Sequence, residues 1–366
     1  MGEVCVKVAL RVRPLLPNEL IQNHKVCVRI VPDTAQVMVG SDKLFSFDHA
    51  FGPTATQDEV YNSCVQPLVE TLLQGDNATV FCFGQTGSGK TYTFGGGNLG
   101  EEGGIIDRVA KNVFSLLGEK KNSDGVETKV RVTYLELYME QLHDLLEPHN
   151  TDKELFISKN DKGNTALLLL IPRWYFLFAL DSLGQWWWEP KKFSVTSAEE
   201  LLSVVEAGNV LRHIKTTGMN EHSSRSHTIL TLQVEQGFPN NNPSLKPSCS
   251  SKLCLVDLAG SEFARKGNKE SRHNESAHIN RGLLALGNVI RVLATRAHNN
   301  CKSTHIPYRD SKITRLLQDS LGGTAHTLMV ACVSPSHHSI AETVGVLQCA
   351  AKARHIRNCP TAISTH

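Results

Sequence analysis

The 366-residue chain lacks the cysteine and histidine spacings that mark disulfide frameworks and zinc sites. Its 10 Cys include no C-x-x-C pair, and its 16 His form no H-E-x-x-H motif. The start, MGEVCVKVALRVRP, has no apolar signal-peptide core, and no G-x-S-x-G nucleophile elbow occurs. We therefore expect reduced cysteines in a cytosolic protein.

Excess charge and long hydrophobic runs are also missing. Lys+Arg 38 against Asp+Glu 36 leave a net charge of +2, which excludes a nucleic-acid binder that depends on bulk positive charge. The apolar stretch 166–180 is too short to span a membrane and contains Pro172 and Arg173. A hydrophobic content of 40% with 20% charged residues is typical of a globular protein.

Strand and helix patterns alternate along the chain, which indicates an α/β fold in one domain. Strands are predicted at 6–12, 26–31, 36–39, 44–47, 78–83, 129–138, 228–234, 252–256 and 328–333, and helices at 58–73, 106–117, 198–207, 280–293, 313–317 and 341–356. The continuously apolar run 78–83 predicts a strand buried on both faces of a mixed or parallel sheet.

The segment 170–189 breaks this alternation. It holds all 4 Trp of the chain, at positions 174, 186, 187 and 188, and has no compensating polar face. We favour an insertion in a surface loop, which translated intron sequence could supply. An apolar docking loop for a partner is the alternative.

Residues 84–91, GQTGSGKT, follow the apolar strand directly and fit the phosphate-binding pattern G-x-x-x-x-G-K-[ST]. Its glycines let backbone N–H groups turn toward phosphate oxygens, and the following helix adds its positive end. Lys90 is expected to reach β- and γ-phosphates and Thr91 to bind Mg²⁺. The pattern arises by chance in roughly one chain in a hundred of this length, which disfavours an ordinary glycine-rich turn.

A P-loop alone does not distinguish an ATPase, a GTPase, a kinase and a motor. Two further segments have residues that suit contact with a terminal phosphate. Asp257 ends an apolar strand and could hold a Mg²⁺ shell through water, while Gly260 could offer its N–H to a γ-phosphate. Residues 220–227, NEHSSRSH, gather hydroxyls and a guanidinium. Each would pass alone as a polar loop or a strand-end cap, but the three together favour nucleoside triphosphate chemistry.

In this order, GQTGSGKT, NEHSSRSH and DLAGSE resemble the P-loop, switch I and switch II of the kinesin motor domain. Further similar segments are RVRP at 11–14, YLELY at 134–138, INRGLLALGNVI at 279–290 and HIPYRDSKITRLLQDSLGG at 305–323. The amino-acid sequence is most similar to that of the kinesin-4 group, especially its cilium- and Hedgehog-associated branch. The resemblance implies a P-loop NTPase fold with a central mixed β-sheet flanked by helices on both faces. It implies a motor domain over 1–358, interrupted at 170–189, and a partial neck linker at 359–366.

The resemblance also implies residue roles in ATP hydrolysis with Mg²⁺. Because the histidines show no zinc-site spacing, we expect no metal beyond Mg²⁺. The residues that would hold ATP are Arg13, Pro14, Gly84, Gln85, Thr86, Gly87, Ser88, Gly89, Lys90, Thr91 and Tyr92. The catalytic set would be Ser223, Ser224, Arg225, Asp257, Gly260 and Glu262, and the Mg²⁺ set Thr91, Ser224 and, through water, Asp257. Arg13, Pro14 and Tyr92 would enclose the adenine. Arg225 and Glu262 would join the switches.

A basic face toward acidic tubulin is implied in the same way. The expected microtubule contacts are Arg265, Lys266, Lys269, Arg272, Arg309, Lys312 and Arg315. Scattered charges are ordinarily only a solvated face, but these lie in the family's tubulin-contacting segments. Their contribution should weaken with salt.

Two functions stay open from the sequence. One is an ATP-driven microtubule motor domain; the other is a microtubule- or tubulin-binding scaffold with little turnover. The run FARKGNKESRHNESAHIN after DLAGSE departs from the family pattern and favours the scaffold, whereas intact Arg225 and Glu262 favour turnover. A P-loop transport ATPase of another family is a third alternative, against which NEHSSRSH argues.

Microtubules are the expected partner, with no nucleic acid and no membrane. No heptad run follows the last helix, so a monomer is expected for this chain, and a dimer for a longer product that has a stalk. The expected location is the cytoplasm, on the microtubule cytoskeleton, and the cilium.

Overall fold

The computed structural model describes residues 2–96, 102–124, 127–147, 155–159, 165–169, 192–216, 224–237, 248–261, 270–299, 305–360 and 364–365. The strands are β1 Val4–Cys5, β2 Lys7–Val12, β3 Val28–Ile30, β4 Gln36–Val39, β5 Lys43–Ser46, β6 His49–Phe51, β7 Ala78–Phe83, β8 Glu127–Tyr138, β9 Gln141–Asp144, β10 Leu155–Lys159, β11 Thr165–Leu169, β12 Phe193–Val195, β13 His227–Gly237, β14 Ser248–Asp257, β15 His326–Val333, β16 Arg357–Asn358 and β17 Ser364–Thr365. The α-helices are α1 Pro17–Ile21, α2 Gln57–Val60, α3 Gln66–Leu73, α4 Lys90–Gly95, α5 Ile105–Asp124, α6 Ala198–Thr216, α7 Glu270–Asn299, α8 Lys312–Leu316 and α9 Ile340–Ala353.

Among the described residues, the largest sheet is mixed and has 10 strands. Its order is β12-β8-β13-β14-β7-β15-β2-β6, with β9 paired to β8 and β17 to β14. The half from β14 to β6 is parallel, and the half from β12 to β14 is antiparallel. Small sheets are formed by β3-β4-β5, β10-β11 and β1-β16.

Helices cover both faces of this sheet because its central strands are apolar on both sides. Every residue of β7 is buried. Phe81 contributes to one core cluster, which includes residues of α7, α8 and α9, and Val80 to a second, which includes residues of α3, α5 and α6. The predicted α/β fold with helices on both faces is therefore confirmed.

Local departures from the predicted elements have physical causes. In strand β2 only Lys7 is exposed, because Val8, Leu10 and Val12 pack into one core cluster and Ala9 packs into the other. The helix predicted at 58–73 is divided by a π-helical turn at Tyr61–Val65. Pro67 follows that turn and has no N–H for a bond one turn back, which explains why regular α-helix does not run through.

The C-terminal part of the described chain is anchored by a buried asparagine. Asn358 Nδ2 donates to the carbonyls of Ser320 (2.9 Å) and Ala325 (2.6 Å), and its Oδ1 accepts from the Gly322 N–H (2.8 Å). The strand that contains it, β16, pairs with β1. A strand near the N-terminus, β1, is therefore paired with the strand that follows the last helix, β16.

Several expectations concern residues outside this description. The insertion predicted at 170–189 lies entirely there, after the β10–β11 hairpin. Among the described residues, no helix has the length and apolar character needed to cross a membrane. The cysteines in the described part of the chain are free thiols.

Candidate nucleotide-binding site

A cleft of about 670 Å³ opens at the carboxyl ends of β7 and β14. Ligands in open α/β sheets bind at this edge of parallel strands. Residues from every segment predicted to face the nucleotide line the cleft, namely Arg13, Pro14, Thr86, Gly87, Ser88, Gly89, Lys90, Thr91, Tyr92, Ser224 and Asp257. The fold thus gathers residues from four distant stretches of sequence around one cavity.

The P-loop at the end of β7 has the backbone that its glycines permit. Gly87 and Gly89 have φ of 74° and 94°, where a side chain would be strained. At Gly84, a Cβ would lie 2.1 Å from the Cys332 carbonyl oxygen, so no larger residue fits. The Lys90 side chain is buried, and its Nζ donates across the loop to the Gln85 carbonyl (3.0 Å).

The oxygen atoms beside the P-loop fit a magnesium ion. Thr91 Oγ1 donates to Asp257 Oδ2 (2.9 Å), while Asp257 Oδ1 is buried with no partner within the described part of the chain. Burial raises the pKa of Asp257, against the opposing effects of Lys90 and the Thr91 hydrogen bond. A buried carboxylate oxygen left without a partner beside a hydroxyl suits a hard cation that takes oxygen ligands.

The segment after Asp257 is held by four successive backbone amides. They donate, in order, Leu258 N–H to Cys82 O (3.3 Å), Ala259 N–H to His227 Nδ1 (3.0 Å), Gly260 N–H to Ser224 O (2.8 Å) and Ser261 N–H to Gly84 O (3.0 Å). The Gly260 N–H, predicted to meet a γ-phosphate, is thus bound to the Ser224 carbonyl. We call residues 258–261 the amide ladder.

His227 has a functional position that the sequence reasoning missed. Its ring is buried at the start of β13, and its Nδ1 is the only side-chain acceptor of the amide ladder. Burial, reinforced by the positive charges of Lys90 and Arg212, lowers the pKa of His227 to about 3. The imidazole is therefore neutral, and its Nδ1 is an acceptor.

Arg13 forms the wall of the cleft through internal bonds. Its guanidinium donates to both Glu19 oxygens (2.6 and 2.7 Å), to Ser334 Oγ (3.1 Å) and to the Gly87 carbonyl (2.6 Å). The hydrogen bond from Arg13 lowers the pKa of Glu19 to about 2. Arg13 thus ties the P-loop to α1, with Pro14 beside it on the cleft surface.

Tyr92 is placed by two residues that the sequence reasoning did not assign. Its side chain is 42% exposed in the cleft, and the Arg11 guanidinium lies 5.2 Å from the ring centroid. Buried Gln57 accepts from Arg11 Nη1 (2.7 Å) and donates from Nε2 to the Tyr92 carbonyl (2.8 Å). A charged residue inside the apolar strand β2 was the available signal for Arg11.

The remaining predicted catalytic residues divide between the described and undescribed parts of the chain. Ser224 and Arg225 are half-buried just before β13. Ser223 and Glu262 lie outside the described residues. The Arg225–Glu262 pair therefore stays a prediction.

Of the predicted filament residues, Arg309, Lys312 and Arg315 have described side chains. Arg309 is exposed in the 3₁₀ turn Tyr308–Asp310, whereas Lys312 and Arg315 are half-buried in α8. The Arg315 guanidinium donates to the Ile157 carbonyl. Residues 265, 266 and 269 lie outside the description, as does the side chain of Arg272 in α7.

The turn between β8 and β9 holds α8 in place. Met139 and Glu140 have φ of 50° and 62°, a left-handed conformation that is uncommon for such residues. Glu140 Oε2 accepts from the Lys312 N–H (2.7 Å), one of the unbonded amides at the start of α8. Backbone strain at this turn thus accompanies a specific contact with the predicted filament segment.

The strand, glycine-rich turn, buried lysine and strand-end aspartate define a P-loop nucleotide-binding protein of the α/β class. Comparison with known families makes this more specific. The family model "Kinesin motor domain" matches residues 11–169 and 189–356. The chain belongs to the kinesin motor domain family. Within the matched range the family model leaves residues 170–188 unmatched, and these residues fall inside the segment 170–189 that we predict to be an insertion.

Individual relatives agree with this assignment. Kinesin-like protein KIF27 of Homo sapiens is 47% identical over 372 residues, covering 99% of this chain and 25% of that protein. Kinesin-like protein kif7 of Danio rerio is 44% identical, covering 98% and 25%, and chromosome-associated kinesin KIF4B of Homo sapiens is 42% identical, covering 97% and 27%. The chain therefore spans about a quarter of the length of these curated relatives.

A solved kinesin has the same fold. The structure described as "Structure of a fast kinesin: Implications for ATPase mechanism and interactions with microtubules" superposes with a TM-score of 0.82 at 32% identity. The match covers 98% of this chain and 93% of that one. The predicted kinesin motor domain and its predicted similarity to the kinesin-4 group are both confirmed.

Proposed function

We propose that this chain is a microtubule motor domain that hydrolyses ATP with Mg²⁺. The single observation that carries the proposal is the cleft in which the P-loop, Arg13–Pro14, Ser224 and Asp257 meet. A structural cavity would have no reason to combine a buried lysine with an unpartnered carboxylate oxygen. A phosphate chain with its counterion accounts for both.

Binding would be divided among the elements that line the cleft. The amides of Gly84–Thr91 and the Lys90 ammonium would hold the phosphates, and Tyr92 would stack on the base. Mg²⁺ would be held by Thr91 and Ser224 directly and by Asp257 through water, and when bound it neutralises charge on the β- and γ-phosphate oxygens.

Hydrolysis by such a site depends on positioning and charge neutralisation, since water attacks the phosphorus in line with the leaving group. Ser223, Arg225 and Glu262 would orient that water and pass on its proton. Gly260 would read the terminal phosphate through its N–H. Loss of that phosphate would release the switches and let α7 move.

The filament face would include α8 and the turn before it. Arg309 is exposed there, and Glu140 fixes the start of α8 from the neighbouring hairpin. Arg265, Lys266, Lys269 and Arg272 would extend the basic surface toward acidic tubulin. The neck linker, which begins at residue 359, would transmit the movement out of the domain. The protein would act on the microtubule cytoskeleton and, as in the branch that it resembles, in the cilium.

Steady-state ATP hydrolysis with and without polymerised microtubules, over a salt series, tests the proposal. We expect strong stimulation that weakens with salt, and loss of hydrolysis in Lys90→Ala. Lys111→Ala, at an exposed lysine of α5, is the matched control and should hydrolyse ATP normally. Filament pelleting without stimulated hydrolysis would favour the low-turnover scaffold over the motor. Absence of ATP hydrolysis together with absence of nucleotide binding would refute the proposed ATPase.

A further inference from the structure

The amide ladder contains one bond that must break and one that need not when a terminal phosphate binds. If Gly260 offers its N–H to that phosphate, its bond to the Ser224 carbonyl is lost. The adjacent Ala259 N–H points to a different acceptor, His227 Nδ1, at 3.0 Å. The two bonds thus divide the loop into a part that changes partner and a part that can stay fixed.

We propose that His227 is a positioning residue for the hydrolysis proposed above, on which this inference rests. Its Nδ1 holds the Ala259 amide as a fixed pivot, while the next amide, that of Gly260, exchanges between the Ser224 carbonyl and the terminal phosphate of the nucleotide. His227 touches neither nucleotide nor metal in this account. It acts by limiting the directions in which the Gly260 N–H can point.

The backbone of His227 is rigid enough for this role. It is the first residue of β13 and pairs with Leu137 of β8, and the next residue, Thr228, pairs with Asp257 of β14. Strand β13 therefore has hydrogen-bonded neighbours on both sides at the point where the ring emerges. Ser224 precedes the paired residues of β13 in the described sheet, and the bond from the Gly260 N–H to its carbonyl is the one that a terminal phosphate would replace.

The chemistry of the ring also suits a permanent acceptor. The Ala259 N–H is a donor, so Nδ1 must be unprotonated and the proton lies on Nε2. Burial and the nearby cations Lys90 and Arg212 keep the second proton off this ring. Loss of the acceptor would leave the buried Ala259 N–H unpaired, which costs far more than exchanging a carbonyl acceptor for a phosphate oxygen, as the Gly260 N–H would do.

The pivot lies against the long helix α7. A Cβ at Gly282 would come 4.0 Å from His227 Nε2, 3.6 Å from Glu140 Oε1 and 3.7 Å from an Ile313 methyl. The ring therefore lies where the amide ladder, α7 and the turn that holds α8 converge. A displacement of the ladder about His227 would be felt directly at the surface of α7.

Three substitutions separate a pivot from a packing role. His227→Asn places an amide near the position of Nδ1 and can restore the acceptor. His227→Gln moves the amide out to the position of Nε2, and His227→Leu removes it. The readout is the ratio of two dissociation constants, for an ATP analogue with a non-hydrolysable β–γ imido bridge and for ADP, measured by equilibrium titration with Mg²⁺.

We expect Leu and Gln to weaken analogue binding about tenfold relative to ADP, and Asn to restore the wild-type ratio. An unchanged ratio in the Gln variant, with ADP affinity retained, would overturn the proposal. Equal weakening of both ligands would assign His227 to packing alone. If the Leu variant does not fold, the Asn and Gln pair decides; if the wild-type chain binds neither ligand, the proposed function itself fails.

Discussion

Substitution of Gln57 by Leu tests whether the base-side wall of the cleft is organised from behind. Gln57 is 2% exposed and makes one hydrogen bond to the charged Arg11 and one to the neutral Tyr92 carbonyl. Losing them costs about 2 and about 1 kcal/mol, respectively. We therefore expect a free energy of unfolding lower by about 3 kcal/mol, with Arg11 keeping Thr93 Oγ1 and the Ala55 carbonyl as partners.

The same substitution should affect ligands differently according to whether they contain a base. Without Gln57, Arg11 and the Tyr92 ring lose their fixed relation, so stacking on a base weakens. ADP affinity should fall about fivefold, whereas the affinity for inorganic tripolyphosphate should not change. Urea denaturation and equilibrium titration measure the two effects.

Gln74→Leu, at an exposed glutamine directly after α3, controls for adding a leucine. It should leave both stability and ligand affinities near wild type. An equal loss of ADP and tripolyphosphate affinity in Gln57→Leu would refute the reasoning, because it would place the damage in the P-loop. Undiminished stability would refute the hydrogen-bond accounting.

Three other predictions concern separate parts of the molecule. Thr91→Val removes the hydroxyl bonded to Asp257, so ADP affinity should fall about tenfold in Mg²⁺ and stay unchanged in EDTA; an equal fall in both conditions would contradict the magnesium assignment. Glu19→Gln removes the carboxylate that pairs with Arg13. Because folding lowers the pKa of Glu19 from 4.5 to about 2, its contribution of about 1 kcal/mol is fully present above pH 4.5 and is lost as the pH falls toward 2; denaturation of both proteins should therefore show a gap that narrows in acid, and a constant gap would contradict it. Glu140→Ala should weaken microtubule pelleting roughly threefold with ADP affinity unchanged, Glu140→Gln should not, and equal pelleting by all three would dissociate this turn from the filament face.

Features that are local in sequence could be predicted, because local patterns carry their own physics. The run Ala78–Phe83 is apolar at every position and forms a strand with the predicted bounds. The turn after it needs left-handed backbone at Gly87 and Gly89, and glycine is the residue type that indicates such a conformation. The Thr91–Asp257 contact could be anticipated because both residues end or follow strands that share an edge.

Contacts between distant, chemically ordinary residues could not be predicted. Arg11 and Gln57 lie 46 positions apart, and His227 and Ala259 lie 32 apart. Neither Gln57 nor Ala259 has a residue type or spacing that suggests a site. Only the folded chain, which places α2 next to β2 and β13 beside β14, brings these partners together.

Asn358 determines how the core would respond to a mechanical pull. Tension that reaches Asn358 from the C-terminal side would load two attachments of this residue together. One is the two-residue β1–β16 pair, and the other is the buried Asn358 side-chain amide, which is hydrogen-bonded to the loop 320–325 directly before β15. Beyond that loop, β15 lies hydrogen-bonded alongside β7 and β2, so the tension is applied as shear along the strands and spreads over many bonds at once. The cleft lies at the far end of the same strands, so the sheet connects the place where the tension is applied to the candidate nucleotide site.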